Sequence, residues 1–120
     1  MKKETATQKS SRQEEMQRQY NKIIQDRLAR ALPRITAPQQ YRLLQYIHEH
    51  PDCFTHEIAM NCGIGFPPAR AWELNHEVLP HYGLFLHCHK PPKWLKNRYG
   101  EDTHVHQWRL VLREEMQEAA

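Results

Sequence analysis

The chain has no long apolar run. No segment approaches the roughly 20 consecutive apolar residues that a membrane-spanning helix requires, and Lys2 and Lys3 are not followed by the apolar stretch of a secretory signal. The sequence also has no glycine-rich phosphate loop, no dinucleotide-binding pattern and no nucleophile elbow. These absences predict a protein with no membrane span and no enzymatic activity.

Cysteine is scarce, and its spacing is uninformative for chemistry. Cys53, Cys62 and Cys88 are odd in number, and no two of them form a CxxC pair. This usage favours reduced thiols in a cytoplasmic setting over a disulfide framework. Cys62 is expected to serve as a small apolar residue in a turn.

The net charge of +3 is modest, but it is unevenly distributed along the chain. Residues 1–34 hold nine Lys and Arg against four Asp and Glu, whereas residues 35–120 hold eight against ten. Within the second part, four cations occur without an acidic residue among them: Lys90, Lys93, Lys96 and Arg98. Two basic segments on a near-neutral body favour a polyanionic partner, and the alternative is a solvated tail and an ordinary surface loop.

The N-terminal part reads as a tail followed by one helix. Residues 1–11 are polar without periodicity and are expected to be disordered. Ser11 and Glu14 fit a capping box, so an amphipathic helix is predicted within residues 12–34, ending before Pro33. Its apolar residues form a dimer interface or pack on the rest of the chain, and both alternatives stay open. The candidate dimer residues are Met16, Tyr20, Ile23, Ile24 and Leu28.

Cap residues and prolines predict three further helices. Thr36 and Thr55 stand where helix caps are expected. Pro67 and Pro68 suit the first turn of a helix, where proline is tolerated, and Pro80 would stop that helix. The predicted spans are about 36–50, 55–61 and 67–79.

Two later segments alternate apolar and polar residues with the period of a β-strand. They are Leu84–His89 and Val105–Leu112, and Lys90–Thr103 joins them as a long loop rich in Pro and Lys. This pattern predicts an antiparallel β-hairpin whose loop is basic.

Two registers of this hairpin compete. One of them would bring four imidazoles together, as zinc can accept: His87, His89, His104 and His106. The other places Leu84 opposite Leu110 and leaves Cys88 beside His106. It also places Leu86 opposite Trp108, and register follows the buried apolar set. The second register is therefore expected, and no metal or other cofactor is predicted.

The stretch Thr55–Leu74 contains the residue types that are typical of two helices crossing steeply at a tight turn. Ala59 precedes Gly63 by four residues, so the small side chain allows close approach and the glycine supplies a positive φ. The flanking apolar residues are Ile58, Cys62 and Ile64.

This turn, the helix order and the basic hairpin loop resemble the winged helix-turn-helix DNA-binding superfamily over roughly residues 35–112. The resemblance implies a mainly α fold with a small antiparallel β-hairpin, of the α+β class. The winged-helix domain would occupy residues 35–113, after the N-terminal amphipathic helix and before a C-terminal tail at 114–120.

The resemblance also implies a function, which is binding of double-stranded DNA by a transcriptional regulator of the phage or plasmid kind. The recognition helix would be 67–79 and the basic wing 90–98. Arg70 is placed to contact guanine, and the wing cations to contact phosphate. Trp94 and Tyr99 either contact bases or pin the loop to the body. The candidate DNA-binding residues are Arg70, His76, Lys90, Lys93, Trp94, Lys96, Arg98 and Tyr99.

Two other functions remain open at this stage. On a helical wheel, Ala71, Trp72 and Leu74 lie on the side expected to face the core. Glu73 and Glu77 lie on the outward side, where they would repel phosphate. That acidic face, over residues 66–77, suits a protein–protein interaction module such as an adaptor or inhibitor. The Trp94 and Tyr99 loop alternatively suits single-stranded nucleic acid or RNA.

Overall fold

The computed structural model describes residues 6–118, with side chains from residue 10 to residue 116. Five helices and three strands follow one another along the chain. They are α1 (Ala6–Ala31), α2 (Pro38–Glu49), β1 (Cys53–Phe54), α3 (Thr55–Cys62), α4 (Pro67–Glu73), β2 (Leu84–His89), β3 (Gln107–Leu112) and α5 (Arg113–Glu118). The prediction of a mainly helical α+β chain with a small antiparallel sheet and a long N-terminal helix is confirmed.

Helix α1 begins earlier than the sequence predicts. It includes residues 6–10, which were expected to be disordered, and Ser11 lies inside it, so the Ser11–Glu14 pair is not its cap. Residues 1–5 of the predicted tail lie outside the described part of the chain. The C-terminal tail also differs, because α5 occupies most of its length.

The caps of α2 and α3 each lie one residue from the predicted position. Ala37 precedes α2 in extended conformation, instead of Thr36, and Pro38 is its first residue. Phe54 precedes α3, and the Phe54 backbone N–H donates to the Glu57 carboxylate at 3.4 Å. Thr55 is instead the first residue of α3, and its hydroxyl accepts a hydrogen bond from Trp108 Nε1 at 2.8 Å. The threonine therefore anchors the sheet to α3.

The three strands form one antiparallel sheet in the order β1–β3–β2. The hairpin was predicted, but β1 was not, because two residues are too short to show an alternating pattern. The observed register pairs Leu84 with Leu112 and Leu86 with Leu110. The predicted face is therefore right, but the predicted register is wrong by two residues. Cys88 accordingly lies opposite Trp108, at the exposed end of β2.

The core is a single apolar cluster between the helices and the inner face of the sheet. Helix α1 contributes Ile24, Leu28 and Ala31 to it. The largest fully buried side chains are Leu43, Leu44, Ile47, Ile58, Leu74, Leu79, Leu84 and Leu86. Buried residues from each of the helices α1 to α4 and from the hairpin therefore meet in one core.

Gly83 joins the helical part to the sheet. Its φ of 67° lies in the left-handed region, and a Cβ at this position would stand 2.6 Å from Arg27 Nη1. Arg27 donates to the Gly83 carbonyl at 3.1 Å and to the Glu114 carboxylate at 2.9 Å. The absence of a side chain at this position thus lets α1 bind both the start of β2 and α5.

Candidate nucleic-acid interface

The turn between α3 and α4 has the predicted geometry. Gly63 adopts φ 64° and ψ 43°, and its N–H donates to the Ala59 carbonyl. Ile64 N–H donates to the same carbonyl at 3.1 Å. No atom lies within 4 Å of the place where a Gly63 Cβ would stand, so this position needs glycine for its backbone conformation alone.

Helix α4 buries one side and exposes the other. Ala71 and Leu74 lie in the core, as predicted. Phe66, which precedes the helix, is 67% exposed. Trp72 was predicted to lie in the core, but it is 59% exposed, so that prediction is wrong. The outward side therefore presents two large apolar rings.

The helix does not continue regularly to Leu79. It changes at Leu74–Val78 into a π-helical turn and at Leu79–Tyr82 into a 3-10 turn. The wider turn inserts Asn75 into the interior, where its amide donates to the Leu86 carbonyl at 3.0 Å and accepts from the Leu86 N–H at 2.7 Å. The sequence analysis missed Asn75, because a polar residue between apolar neighbours gives no sign that it is buried. This amide fixes the end of α4 to β2.

Arg70 does not project freely into solvent. Its Nε lies 2.8 Å from Glu73 Oε1, and Gln40 donates to the other oxygen of Glu73 at 3.5 Å. The three-residue spacing of opposite charges on a helix could have indicated this pair. A guanine contact by Arg70 stays a prediction, and Glu73 already compensates the charge that this contact would use.

His76 is held by Trp72. Its Nδ1 lies 2.7 Å from the Trp72 carbonyl, and the two rings stack with centroids 4.1 Å apart. A carbonyl only accepts hydrogen bonds, so Nδ1 donates. The stack orients the Trp72 indole as well as the imidazole.

The loop between β2 and β3 carries three cations with no acidic partner among residues 10–116. They are Lys90, Lys93 and Arg98, and all three are exposed. The fourth predicted cation, Lys96, lies 2.6 Å from the Asp102 carboxylate, and this hydrogen bond and charge lower the pKa of Asp102. Of these four loop cations, Lys96 is therefore the one whose charge is already compensated.

The two aromatic residues of this loop occupy different environments. Trp94 is half-buried, and its ring meets His104 and His106 edge-on, with centroids 4.9 and 5.5 Å away. Tyr99 is 72% exposed, and the Arg98 guanidinium lies 5.2 Å from its ring centre. Trp94 thus pins the loop, whereas Tyr99 stands at its tip.

The candidate dimer residues of α1 divide between the core and the surface. Ile24 and Leu28 are buried, and the Tyr20 hydroxyl accepts from the Leu112 N–H at 3.4 Å. Met16 and Ile23 are exposed. The helix folds back onto the body. Of the five candidate residues, only Met16 and Ile23 face solvent, where a second chain could contact them.

The outer face of the sheet holds a charged cluster centred on Asp52. Arg109 donates to both carboxylate oxygens, at 3.1 and 2.7 Å, and His89 Nε2 lies 3.0 Å from one of them. Burial would raise the pKa of Asp52, but the hydrogen bonds and charges of these two partners outweigh it, so the pKa is lowered. Asp52 also has a positive φ of 65°, which Asp and Asn tolerate better than most residues.

Replacing Asp52 by Asn should make the free energy of unfolding less dependent on pH in the acid range. A carboxyl whose folded pKa lies below its unfolded value of about 3.9 stabilises the protein above that pH and loses its contribution as pH falls through the folded pKa. Asp52→Asn should therefore be less stable than the wild type at pH 6, by up to about 1 kcal/mol because the pair is partly exposed. Urea unfolding at pH 6 and pH 3 measures this difference. An equal difference at both values would contradict the assignment.

The histidine pairs of the hairpin do not face each other. His87 and His89 stack at 5.6 Å on the outer face, opposite Arg109 and Gln107, and His104 and His106 precede β3. Burial, followed by the charge of His89, lowers the pKa of His87. Within residues 10–116, no group of three or more His, Cys, Asp or Glu side chains is arranged to hold a metal ion.

The three cysteines are free thiols. Burial raises the pKa of Cys53 to about 12 and also raises the pKa of Cys62 and Cys88. Since the thiolate is the reactive form of cysteine, these environments disfavour nucleophilic chemistry at all three positions.

None of the described helices is long and apolar enough to cross a bilayer. Comparison of the chain with protein-family models, curated proteins and solved structures finds no match. The functional interpretation therefore depends on the geometry of α3, α4 and the basic loop.

Proposed function

We propose that this chain is a winged-helix protein that binds double-stranded DNA and regulates transcription. The helices α2, α3 and α4, the sheet order β1–β3–β2 and the long β2–β3 loop support the assignment. In this arrangement α4 is the helix offered to the major groove and the loop is the wing. Residues 67–79 and 90–98 keep these roles in the proposal.

The observation that carries the proposal is the uncompensated charge of the loop. Lys90, Lys93 and Arg98 are exposed on a loop that begins four residues after Leu86, which Asn75 ties to the end of α4. Cations on a loop that follows a strand tied to an exposed helix can contact phosphates while the helix meets the bases. Lys96, paired with Asp102, contributes less to this field.

Titration of fluorescein-labelled random duplex DNA at 50 and 200 mM salt, followed by anisotropy, tests this proposal. Three phosphate contacts give a log–log salt slope of about −2.7, so affinity should fall about 40-fold between these concentrations. Absence of binding at 50 mM salt would contradict the proposal.

A homodimer is part of the same proposal. Met16 and Ile23 are exposed and seven residues apart, so they lie on one face of α1, as residues in a helix-pairing seam do. A dimer would let two copies of α4 read a palindromic site. We also propose a cytoplasmic setting and a binding rather than an enzymatic role.

The second candidate function is a protein–protein interaction module. Glu73 compensates the charge of Arg70, and Glu77 is exposed without a described cationic partner, so the α4 surface is not attractive to phosphate. Exposed apolar residues on and near this surface would suit a protein partner. This candidate would be supported if the chain failed to bind duplex DNA at low salt and bound a protein partner through Glu73 and Glu77.

A third candidate is single-stranded nucleic acid or RNA, with Tyr99 as a stacking platform beside Arg98. Trp94 contributes little to this candidate, because its ring is occupied by His104 and His106. Tighter binding of single strands than of duplexes in the same titration would favour it.

A further inference from the structure

The outward side of α4 carries an apolar stripe, defined as Phe66, Ala69 and Trp72. The three residues are spaced three apart, and Ala69 N–H donates to the Phe66 carbonyl at 3.2 Å, so they are neighbours on one side. Phe66 is 67% exposed and Trp72 is 59% exposed, whereas Ala69 is half-buried between them. Large rings left in water on a groove-facing helix call for a contact that removes them from water.

Contacts within the fold restrict the orientation of the Trp72 ring in the stripe. His76 stacks on the Trp72 indole at 4.1 Å and is itself tied to the Trp72 carbonyl, so the ring loses little freedom on binding. The π-helical turn that follows is fixed to β2 by Asn75. The position of the stripe relative to β2, the strand that leads into the basic loop, is therefore set by the fold.

The cation beside the stripe is already paired. Arg70 Nε lies 2.8 Å from Glu73 Oε1, so the charge of Arg70 is compensated before any base is contacted. In the major groove the base edges present hydrogen-bond donors and acceptors, and the apolar group among them is the 5-methyl of thymine. 5-Methylcytosine presents the same methyl at the same ring position.

We infer that the apolar stripe recognises the 5-methyl group of a pyrimidine in the major groove, with Phe66 and Trp72 as the residues that determine specificity. This inference rests on the proposed binding of double-stranded DNA. The charge of Lys90, Lys93 and Arg98 selects DNA as the occupant of the stripe, because those cations favour phosphate over a neutral protein surface. The stripe then adds base preference to an affinity that the loop supplies.

Three random-sequence duplex pools test the inference with the full chain. The first contains thymine, the second contains deoxyuridine in place of thymidine, and the third contains deoxyuridine and 5-methylcytosine. Each buried methyl should strengthen binding about fourfold, so the thymine pool should bind at least that much more tightly than the uridine pool. Recovery of affinity in the third pool would show that the methyl group alone is read, and no recovery would assign the contact to thymine.

Substitutions connect this difference to the stripe. Phe66→Ala and Trp72→Ala should each reduce the thymine-to-uridine ratio towards one while leaving the salt slope unchanged. Met60→Ala removes an exposed apolar side chain from α3 and should keep the wild-type ratio. Equal binding of the thymine and uridine pools by the wild type, with a normal salt slope, would overturn the inference and leave the proposed function standing. No binding of any pool would overturn both, and the stripe would then be a surface for a protein partner.

Discussion

Charge reversal in the basic loop is expected to abolish duplex binding. The triple variant Lys90→Glu, Lys93→Glu and Arg98→Glu replaces three exposed cations with anions in a loop that should contact phosphates. The loss of three contacts and the added repulsion should lower affinity on the order of 100-fold or more at 50 mM salt. Anisotropy titration measures the affinity, and circular dichroism with thermal unfolding verifies that the variant is folded.

A charge-neutral exchange in the same loop provides the control. Lys96→Asp combined with Asp102→Lys keeps the net charge and restores an ion pair where the wild-type atoms are 2.6 Å apart. This double variant should bind within about threefold of the wild type, because the pair carries no net charge towards DNA. If the triple variant binds as tightly as the exchange variant, the loop is not the phosphate-binding surface.

Removal of one buried amide should cause the second large effect, which is on stability. Asn75→Ala deletes both hydrogen bonds to the Leu86 backbone, at 3.0 and 2.7 Å, in a site that is 8% exposed. Each backbone group left unsatisfied in the interior costs about 1–3 kcal/mol. The free energy of unfolding should therefore fall by about 2–4 kcal/mol, which is a large part of the stability of a small domain. Urea unfolding followed by tryptophan fluorescence measures it.

An exposed asparagine gives the matched comparison. Asn61 also makes two amide hydrogen bonds, to the Tyr46 hydroxyl and the Glu57 carbonyl, but it lies at the surface. Asn61→Ala should cost less than about 1 kcal/mol, because water replaces the lost bonds. Similar losses for Asn61→Ala and Asn75→Ala would show that the bridge between α4 and β2 adds nothing beyond an ordinary surface contact.

The parts of the fold that local chemistry determines were predictable from the sequence. Gly63 marks the turn because few other residues adopt its positive φ, and Pro38 and Pro67 mark helix starts because proline suits a first turn. The faces of β2 and β3 followed from alternation. Their register did not, because alternation fixes only the face, and a shift of two residues preserves it.

The candidate site was less predictable because its geometry depends on non-local contacts. The regular wheel assigned Trp72 to the core and gave no reason to bury Asn75. The π-helical turn and the hydrogen bonds to Leu86 decide the position of Asn75, and no local sequence pattern indicates that the Leu86 backbone will bond to an amide side chain. The two roles of Trp94 and Tyr99 likewise depend on where His104 and His106 lie.

The attachment of α1 has a consequence for the order of events during synthesis. Tyr20 contacts Leu112 across 92 residues of sequence, and Arg27 contacts Glu114 across 87. Helix α1, which carries the buried residues Ile24 and Leu28, is therefore synthesised long before the strand β3 and the helix α5 that it contacts. A nascent chain that stops before β3 can form the turn between α3 and α4, but it leaves the apolar surface of α1 partly uncovered. Contacts of such separation slow folding, so slow emergence of residues 107–114 should prolong the time during which this chain is prone to aggregate.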